Sequence, residues 1–274
     1  MKERSLLNTG LVDTVRVADD VWCVRTLIVN AVFVGDSFKG DWVLVDTGLA
    51  PFAEALIKEA DSIFGRPPAC VVLTHGHFDH VGNVSKLTEL WDVPVYAHAS
   101  EMPYLTGQRD YPEGDPSVGG GLMAEVAPAY PHRAIDLHDR VRPLPEGGLV
   151  PGLPEWRWIF TPGHSPGHIS LFRERDRLLL AGDAVITVKQ ESALAVVAQT
   201  KEVHGPPMYF TPDWVKAGES VRALAALEPE AAVTGHGQPL FGEELRSGLR
   251  RLAERFEELA VPEQGKYVPQ GLRS

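Results

Sequence analysis

Five short apolar runs in this chain are each followed by a histidine or an aspartate that stands near a glycine. These positions are Asp46, residues 74–80 (Thr-His-Gly-His-Phe-Asp-His), His164, Asp183 and His236. Apolar runs of this length, bounded by turn residues, are typical of buried strands. Ligand-type side chains at five strand ends favour a fold in which those ends meet at one edge of a sheet.

The segment 74–80 has a spacing that suits metal binding. On an extended or tightly turning loop, alternate residues point the same way, so His75 and His77 can bind one ion while Asp79 and His80 bind a second. Imidazole and carboxylate suit zinc, and also manganese or iron. For any single histidine the alternative is a hydrogen-bonded polar residue, but the placement of the whole set at strand ends favours metal.

The rest of the pattern predicts an α/β layered domain. Runs rich in Val, Ile and Trp predict strands over residues 11–46, and Pro51 begins a helix that ends near Gly65. Further elements are expected along the chain: strands at 70–73, 94–98, 156–160, 168–173, 177–181 and 231–234, and helices at 83–91, after 211–213 and at 243–260.

Two irregular stretches interrupt this order. Residues 103–154 hold nine prolines, and residues 187–213 form a second stretch without a clear period. Long irregular segments inside a compact domain are usually functional lids or are disordered. We predict lid-like insertions in a single domain that covers residues 1–274, with a loose surface insertion as the alternative for the first stretch.

Net charge and apolar content limit the kinds of partner expected for this protein. The net charge is −11, with a pI of about 5.4, which argues against a nucleic-acid partner and leaves a small-molecule substrate as the expectation. No run approaches the ~18 apolar residues of a membrane span. The start, Met1–Arg4, is charged and no signal-peptide core follows, so a cytoplasmic location is expected. Cys23 and Cys70 lie in apolar runs and are predicted to be buried thiols.

The ordered motifs Asp46, His75-x-His77-x-Asp79-His80, His164, Asp183 and His236 resemble those of the metallo-β-lactamase-fold hydrolase superfamily. The resemblance implies an α/β fold, a four-layer αββα sandwich of two mixed β-sheets flanked by helices. It also implies that His75, His77 and His164 bind one ion, that Asp79, His80 and His236 bind a second, and that Asp183 bridges the two. Asp46 would orient a ligand histidine.

This resemblance implies a dinuclear, metal-dependent hydrolase with two divalent ions, zinc first and manganese or iron as alternatives. A metal-bridging hydroxide would attack a small carbonyl ester, thioester or lactone, and Asp79 would relay a proton. The catalytic residues expected are therefore Asp79 and Asp46. The same hydroxide could also attack a phosphoester, so phosphoesters remain a further possible class of substrate.

Several branches of the superfamily offer alternative activities for this chain. The sequence resembles glyoxalase II-like thioesterases, yet only 38 residues follow His236, so a helical glutathione-binding domain is not expected. It also resembles quorum-quenching lactonases, yet Ile186 stands where they typically carry a tyrosine. A mononuclear iron, persulfide dioxygenase-like oxidoreductase is the alternative function. His168, four residues after His164, is predicted to be structural, and the oligomeric state stays open.

Overall fold

A computed structural model describes residues 11–37 and 40–272 of the chain. The charged start at Met1–Arg4 lies outside these residues. The chain divides into two compact units. The first comprises the residues up to Arg109 together with Ala134–Arg157, and the second comprises Asp110–Arg133 together with the residues from Trp158 onward. The expectation of a single domain over residues 1–274 stays a prediction.

The first unit is built on a seven-stranded mixed sheet. Its strands, in spatial order, are β1 (Val12–Ala18), β2 (Val21–Thr26), β3 (Val29–Gly35), β4 (Trp42–Val45), β5 (Cys70–Val72), β6 (Val95–Ala97) and β7 (Val141–Pro143). Strands β1 to β4 are antiparallel, and β4 to β7 are parallel. Because β4 and β5 run in the same direction, their carboxyl ends lie side by side.

Helices α1 (Ala53–Ile63), α2 (Val84–Trp91) and α3 (Met102–Leu105) complete the first unit, and a hairpin of β8 (Leu149–Val150) with the start of β9 (Leu153–Phe160) follows β7. The β-branched and aromatic residues of β1 to β4 suit a pleated, buried surface. The ring of Trp42 stacks on Phe64 with centroids 4.4 Å apart, and Leu56 of α1 is fully buried in the same core. A 3-10 turn, Ala50–Phe52, precedes α1 and holds Pro51 in an early position, where its missing N–H costs nothing.

The second unit has its own mixed sheet and its own core. Its sheet has the strand order β13 (Leu240–Phe241), β12 (Ala231–Thr234), β11 (Leu178–Gly182), β10 (Ile169–Arg173) and β9. Strands β11 and β12 are parallel, and their neighbours β10 and β13 are antiparallel to them. The carboxyl ends of β11 and β12 therefore lie at the same edge.

Helices of the second unit are α4 (Leu122–Glu125), α5 (Ala193–Ala198), α6 (Trp214–Ala226), α7 (Gly242–Glu254) and α8 (Phe256–Leu259). Asp213 caps α6, because its side chain accepts a hydrogen bond from the backbone N–H of Lys216. Buried leucines of α6 and α7 share one core with Trp214 and Phe256, whose ring centroids lie 6.3 Å apart. In the part of the chain that the structure covers, no helix is both long and apolar enough to span a bilayer.

The predicted α/β class, with two mixed sheets flanked by helices, is confirmed. One boundary is wrong: the helix expected over 243–260 divides at Arg255, whose φ and ψ of −126° and 35° leave the helical region. The segment 103–154 also contains α3, α4, β7 and β8.

The two irregular stretches contact each other within the second unit. Tyr130 lies 5.9 Å, between ring centroids, from both Tyr209 and Phe210. The backbone N–H of Met123 donates to the carbonyl of Glu191. Through these contacts residues 110–133 pack against residues 187–213. The role of the segments 103–154 and 187–213 as lids stays a prediction.

Candidate metal centre

The histidine segment of the first unit lies between β5 and α2 and is buried. His75 and His80 have no exposed surface, and His77 and Asp79 are less than a tenth exposed. The rings of His75 and His77 meet edge to face with centroids 4.6 Å apart, and those of His75 and His80 lie 4.2 Å apart. In three pairs of these side chains the potential ligand atoms lie within 4.8 Å of each other: His75 with His77, His75 with His80, and Asp79 with His80.

Asp46 holds this segment through three hydrogen bonds. The residue follows β4, and its backbone N–H donates to Val72 of the adjacent β5, which brings its carboxylate to the start of the histidine segment. Its Oδ1 accepts the backbone N–H of Thr74 at 2.8 Å. Its Oδ2 accepts the Thr74 hydroxyl at 2.7 Å and faces Nδ1 of His80 at 2.8 Å. The predicted role of Asp46 in orienting a ligand histidine rests on this last contact.

These contacts determine which nitrogen of each ring carries the proton. A carboxylate only accepts, so the single proton of the Thr74 hydroxyl points to Asp46. Thr74 Oγ1 then accepts from Nδ1 of His75, which lies 3.1 Å away. Nδ1 of His80 likewise donates to Asp46. In the neutral rings of His75 and His80, Nε2 therefore keeps its lone pair, which is the form that binds a metal.

The backbone of the segment has supports of its own. The fully buried carboxylate of Glu101 accepts the N–H of Gly76, between the first two histidines, at 3.1 Å. At Gly82 a Cβ would lie 2.4 Å from the backbone nitrogen of Ala50, so only glycine fits where the loop passes the end of β4. Gly82 thus allows a close approach of two backbone segments that a side chain would block.

In the second unit, three ligand-type residues lie around one carboxylate. Asp183 follows β11, and His236 follows the parallel strand β12, where the N–H of Gly235 donates to the carbonyl of Gly182. Asp183 Oδ2 lies 3.5 Å from Nε2 of His164 and 3.2 Å from Nε2 of His236. All three side chains are about 2% exposed or less. Gly163 has a φ of +133° in the turn that presents His164.

The proton on His164 is directed in the same way as that on His75. The Thr211 hydroxyl donates to the carbonyl of Pro207 at 2.8 Å, so its oxygen accepts from Nδ1 of His164 at 3.3 Å. In the neutral ring, Nε2 of His164 then presents a lone pair toward the carboxylate of Asp183. Two acceptors that face each other in a buried site repel, and a cation between them removes the repulsion.

The donors within each unit therefore fit divalent metal. Three buried imidazoles present Nε2 lone pairs, and carboxylates of Asp79 and Asp183 supply oxygen, the combination that zinc, manganese and iron use. Cysteine takes no part: Cys23 and Cys70 are buried and free, as predicted, and burial raises the pKa of each thiol to about 12.

Four supporting features were not predicted from the sequence: Thr74, Glu101, Thr211 and the hydrogen-bonding role of His168. The other histidines have local roles. Nδ1 of His98 accepts the N–H of Ser100, and burial lowers the pKa of His98. Burial also lowers the pKa of His204, which lies 3.3 Å from the carboxylate of Glu202.

Comparisons with known proteins place the chain in a family. The family model of the metallo-beta-lactamase superfamily matches residues 24–236. The probable metallo-hydrolase YflN of Bacillus subtilis (strain 168) is 50% identical over 235 residues, which cover 85% of this chain and 89% of that protein.

Two solved structures share the fold. A di-iron-bound form of TTHA1623 is 26% identical with a TM-score of 0.52, covering 78% of this chain and 90% of that one. BLEG-1 B3 metallo-beta-lactamase is 24% identical with a TM-score of 0.54, covering 78% and 88%. The predicted fold and the assignment as a metal-dependent hydrolase are confirmed, because the chain belongs to the metallo-β-lactamase superfamily of hydrolases.

Proposed function

We propose that this protein is a dinuclear metal-dependent hydrolase of a small carbonyl ester, thioester or lactone. In this proposal His75, His77 and His164 hold one divalent ion, Asp79, His80 and His236 hold a second, and Asp183 serves both. Zinc is the metal proposed. The assignment of each ligand follows the motif order of the superfamily, and the alternative metal is iron, which the relative TTHA1623 binds as a pair.

One observation carries the proposal: the carboxylate of Asp183 lies within 3.5 Å of two imidazole Nε2 atoms in a buried site. Hydrogen bonding leaves a lone pair on one of them, His164. Such an arrangement of acceptors is costly to bury without a cation. The relative YflN, at 50% identity, is named a probable metallo-hydrolase and supports the same interpretation.

Divalent ions held by these residues would supply a water with a pKa lowered to about 7 and would polarise the carbonyl of a substrate. The residues of the chain supply the rest. Asp46 and Thr74 hold His80 and His75 with Nδ1 protonated, and Thr211 does the same for His164. Asp79 is proposed to take up a proton during turnover, because a carboxylate at a buried site can exchange a proton with the reacting group.

The choice of carbonyl substrates rests on charge. The protein has a net charge of −11, which disfavours a nucleic-acid substrate. Two divalent ions against Asp79 and Asp183 leave the site net positive, which suits an anionic intermediate such as that of ester hydrolysis.

The test combines metal analysis with a substrate panel. The full-length protein, purified without chelator, is analysed for zinc, iron and manganese by mass spectrometry. It is then assayed with a lactone, a thioester, a simple ester, a phosphodiester, a β-lactam and a persulfide, with a chelated sample as control. We expect about two ions per chain and hydrolysis of at least one carbonyl ester, thioester or lactone, lost on chelation and restored by zinc.

Variants separate the site from general effects on folding. His77→Ala and Asp183→Ala should lose more than about 100-fold in turnover, since even outer partners of metal ligands cost 10–100-fold. The matched control is His138→Asn at an exposed histidine with a φ of +50°, a conformation that asparagine accepts. One iron per chain with persulfide oxidation, turnover of the phosphodiester alone, or undiminished activity in folded His77→Ala would refute the proposal.

A further inference from the structure

His168 stands out among the buried histidines because the ligand set leaves it unused. Its ring has no exposed surface and lies edge to face with the ring of His164, with centroids 6.1 Å apart. Its Nε2 lies 2.9 Å from the backbone nitrogen of Asp183, and its Nδ1 lies 2.9 Å from the hydroxyl of Thr161. The ring therefore joins the loop that carries His164 to the backbone of Asp183.

The direction of every hydrogen bond through this ring is determined by its two ends. A backbone N–H only donates, so Nε2 of His168 accepts from Asp183, and the proton of the neutral ring is on Nδ1. Nδ1 then donates to Thr161. The Thr161 hydroxyl donates to Ser170 at 3.0 Å, and Ser170 donates to the carbonyl of Ala181 at 2.9 Å.

Each donor in this relay thus has an acceptor, and the relay begins and ends on β11 and the residue that follows it. Ala181 lies in β11, and Asp183 is the first residue after that strand. Thr161, His168, Ser170 and Asp183 are all 2% exposed or less. A buried backbone N–H without an acceptor keeps the full cost of its desolvation, so the loop at Asp183 depends on the lone pair of His168.

We propose that His168 is a positioning residue for metal binding: through the relay Asp183–His168–Thr161–Ser170–Ala181 it holds the peptide of Asp183 so that the carboxylate faces His164 and His236. This inference rests on the proposed function in one respect, that Asp183 is a metal ligand. The contribution of His168 is an acceptor at Nε2, and it binds neither metal nor substrate.

Two isosteric variants separate this role from packing. In His168→Gln the amide oxygen reaches the place of Nε2 and can accept from Asp183. In His168→Asn the shorter amide reaches the place of Nδ1, where it can donate to Thr161 but leaves the N–H of Asp183 without an acceptor. Both variants remove the ring and its edge-to-face contact with His164.

Zinc affinity is measured for the full-length protein by competition with a chromophoric chelator, and cobalt(II) absorption reports the ligand geometry. We expect His168→Gln to keep zinc affinity within about 3-fold of wild type and His168→Asn to lose 10–100-fold with an altered cobalt spectrum, the range typical of outer partners of metal ligands. The melting temperature of His168→Asn should fall further than that of His168→Gln, because only His168→Asn leaves the buried N–H of Asp183 without an acceptor. Equal zinc affinities in the two variants would overturn the proposal.

A second readout does not require metal. In the metal-free wild type, nitrogen-15 NMR should find the proton of His168 on Nδ1, and the amide of Asp183 should exchange more slowly than in His168→Asn. A proton on Nε2, or equal exchange at Asp183, refutes the relay even where metal binding is normal. Failure of wild type to bind metal refutes the proposed function alone, because the tautomer and the exchange rate still decide the role of His168.

Discussion

The substitution Asp46→Asn tests how the first unit prepares its ligands. Asparagine has the shape of aspartate and accepts the left-handed φ of +57° found at this position, so no new backbone strain is introduced. The substitution replaces one accepting oxygen of the side chain by a donating NH2 group. The three hydrogen bonds that Asp46 accepts, two from Thr74 and one from His80, meet a side chain that has one accepting oxygen and one donating amide.

The consequence is a reversal of proton positions. If the side-chain oxygen of the asparagine takes the place of Oδ1 and accepts the N–H of Thr74, its amide points toward His80 and the Thr74 hydroxyl. His80 must then present a lone pair at Nδ1 and a proton at Nε2. The Thr74 hydroxyl, which no longer donates to position 46, can donate to His75 and impose the same change there. Nε2 of both rings would carry a proton and could not bind metal.

The magnitude follows from the cost of restoring each tautomer. Loss of a hydrogen-bonded partner behind a ligand histidine typically reduces metal affinity 10–100-fold, which corresponds to about 1.4–2.8 kcal/mol. Because Asp46 acts on both His80 and, through Thr74, His75, we expect Asp46→Asn at the upper end, near 100-fold. The assay is competition of zinc between the protein and a chromophoric chelator, with nitrogen-15 NMR of the two rings in the metal-free protein.

Thr74→Ser is the matched control, because it keeps the hydroxyl that relays between His75 and Asp46. It should bind zinc within a few-fold of wild type. Zinc affinity unchanged in Asp46→Asn, together with Nδ1 still protonated on His80, would refute the reasoning, since the carboxylate would then have no influence on the ligand it contacts.

Other predictions concern stability and reactivity. Asp213→Ala removes the cap of α6 and should lower the free energy of unfolding by about 1 kcal/mol in urea titrations, whereas Asp213→Asn should be nearly neutral. Burial acts to raise the pKa of Asp213, but the hydrogen bonds from Lys216 prevail and lower it, so the part of its contribution that depends on the negative charge is present above the ordinary value of 3.8 and is lost as the pH falls through the lowered folded value; a stability difference between wild type and Asp213→Asn that is as large in acid as at neutral pH would contradict this. Gly82→Ala should cost 1–3 kcal/mol or more by calorimetry, because its Cβ meets backbone at 2.4 Å, and an unchanged melting temperature would refute the clash. Cys23 and Cys70, whose burial raises each thiol pKa to about 12, should resist iodoacetamide at pH 8 until the protein is unfolded, and rapid labelling of the native protein would show that they are accessible.

The candidate ligand residues could be picked out from the sequence because their signal is local. Histidine and aspartate recur at intervals of one or two residues in 74–80, directly after an apolar strand, and the parallel strands β4 and β5 place Asp46 beside them. The same holds for Asp183 and His236, which follow the parallel strands β11 and β12. Because parallel strands end at the same edge of a sheet, residues that follow them are neighbours in space even though they are distant in sequence.

The supporting residues could not be found in this way, because their partners are distant in the chain. Glu101 holds Gly76 across 25 residues, and Thr211 holds His164 across 47. Nothing near Glu101 or Thr211 resembles a ligand motif. The break between α7 and α8 at Arg255 was missed for a different reason: no glycine or proline marks it, and the helix ends where Phe256 turns into the core.

Three histidines have the position of their proton determined in the same way, by a threonine hydroxyl that accepts from Nδ1 and donates to another group. This arrangement explains why a threonine lies beside each of them. His75 donates through the hydroxyl of Thr74 to a carboxylate, His164 through Thr211 to a backbone carbonyl, and His168 through Thr161 and a serine to another carbonyl. A group that only accepts lies at the far end of each chain, so the hydroxyl proton has one place to go and the imidazole must donate at Nδ1. The Nε2 lone pairs are therefore in place before a ligand atom is needed, either to bind metal or to hold the peptide of Asp183. Because metal binding then requires no change of tautomer, the free energy of binding is not reduced by reorganisation of the rings.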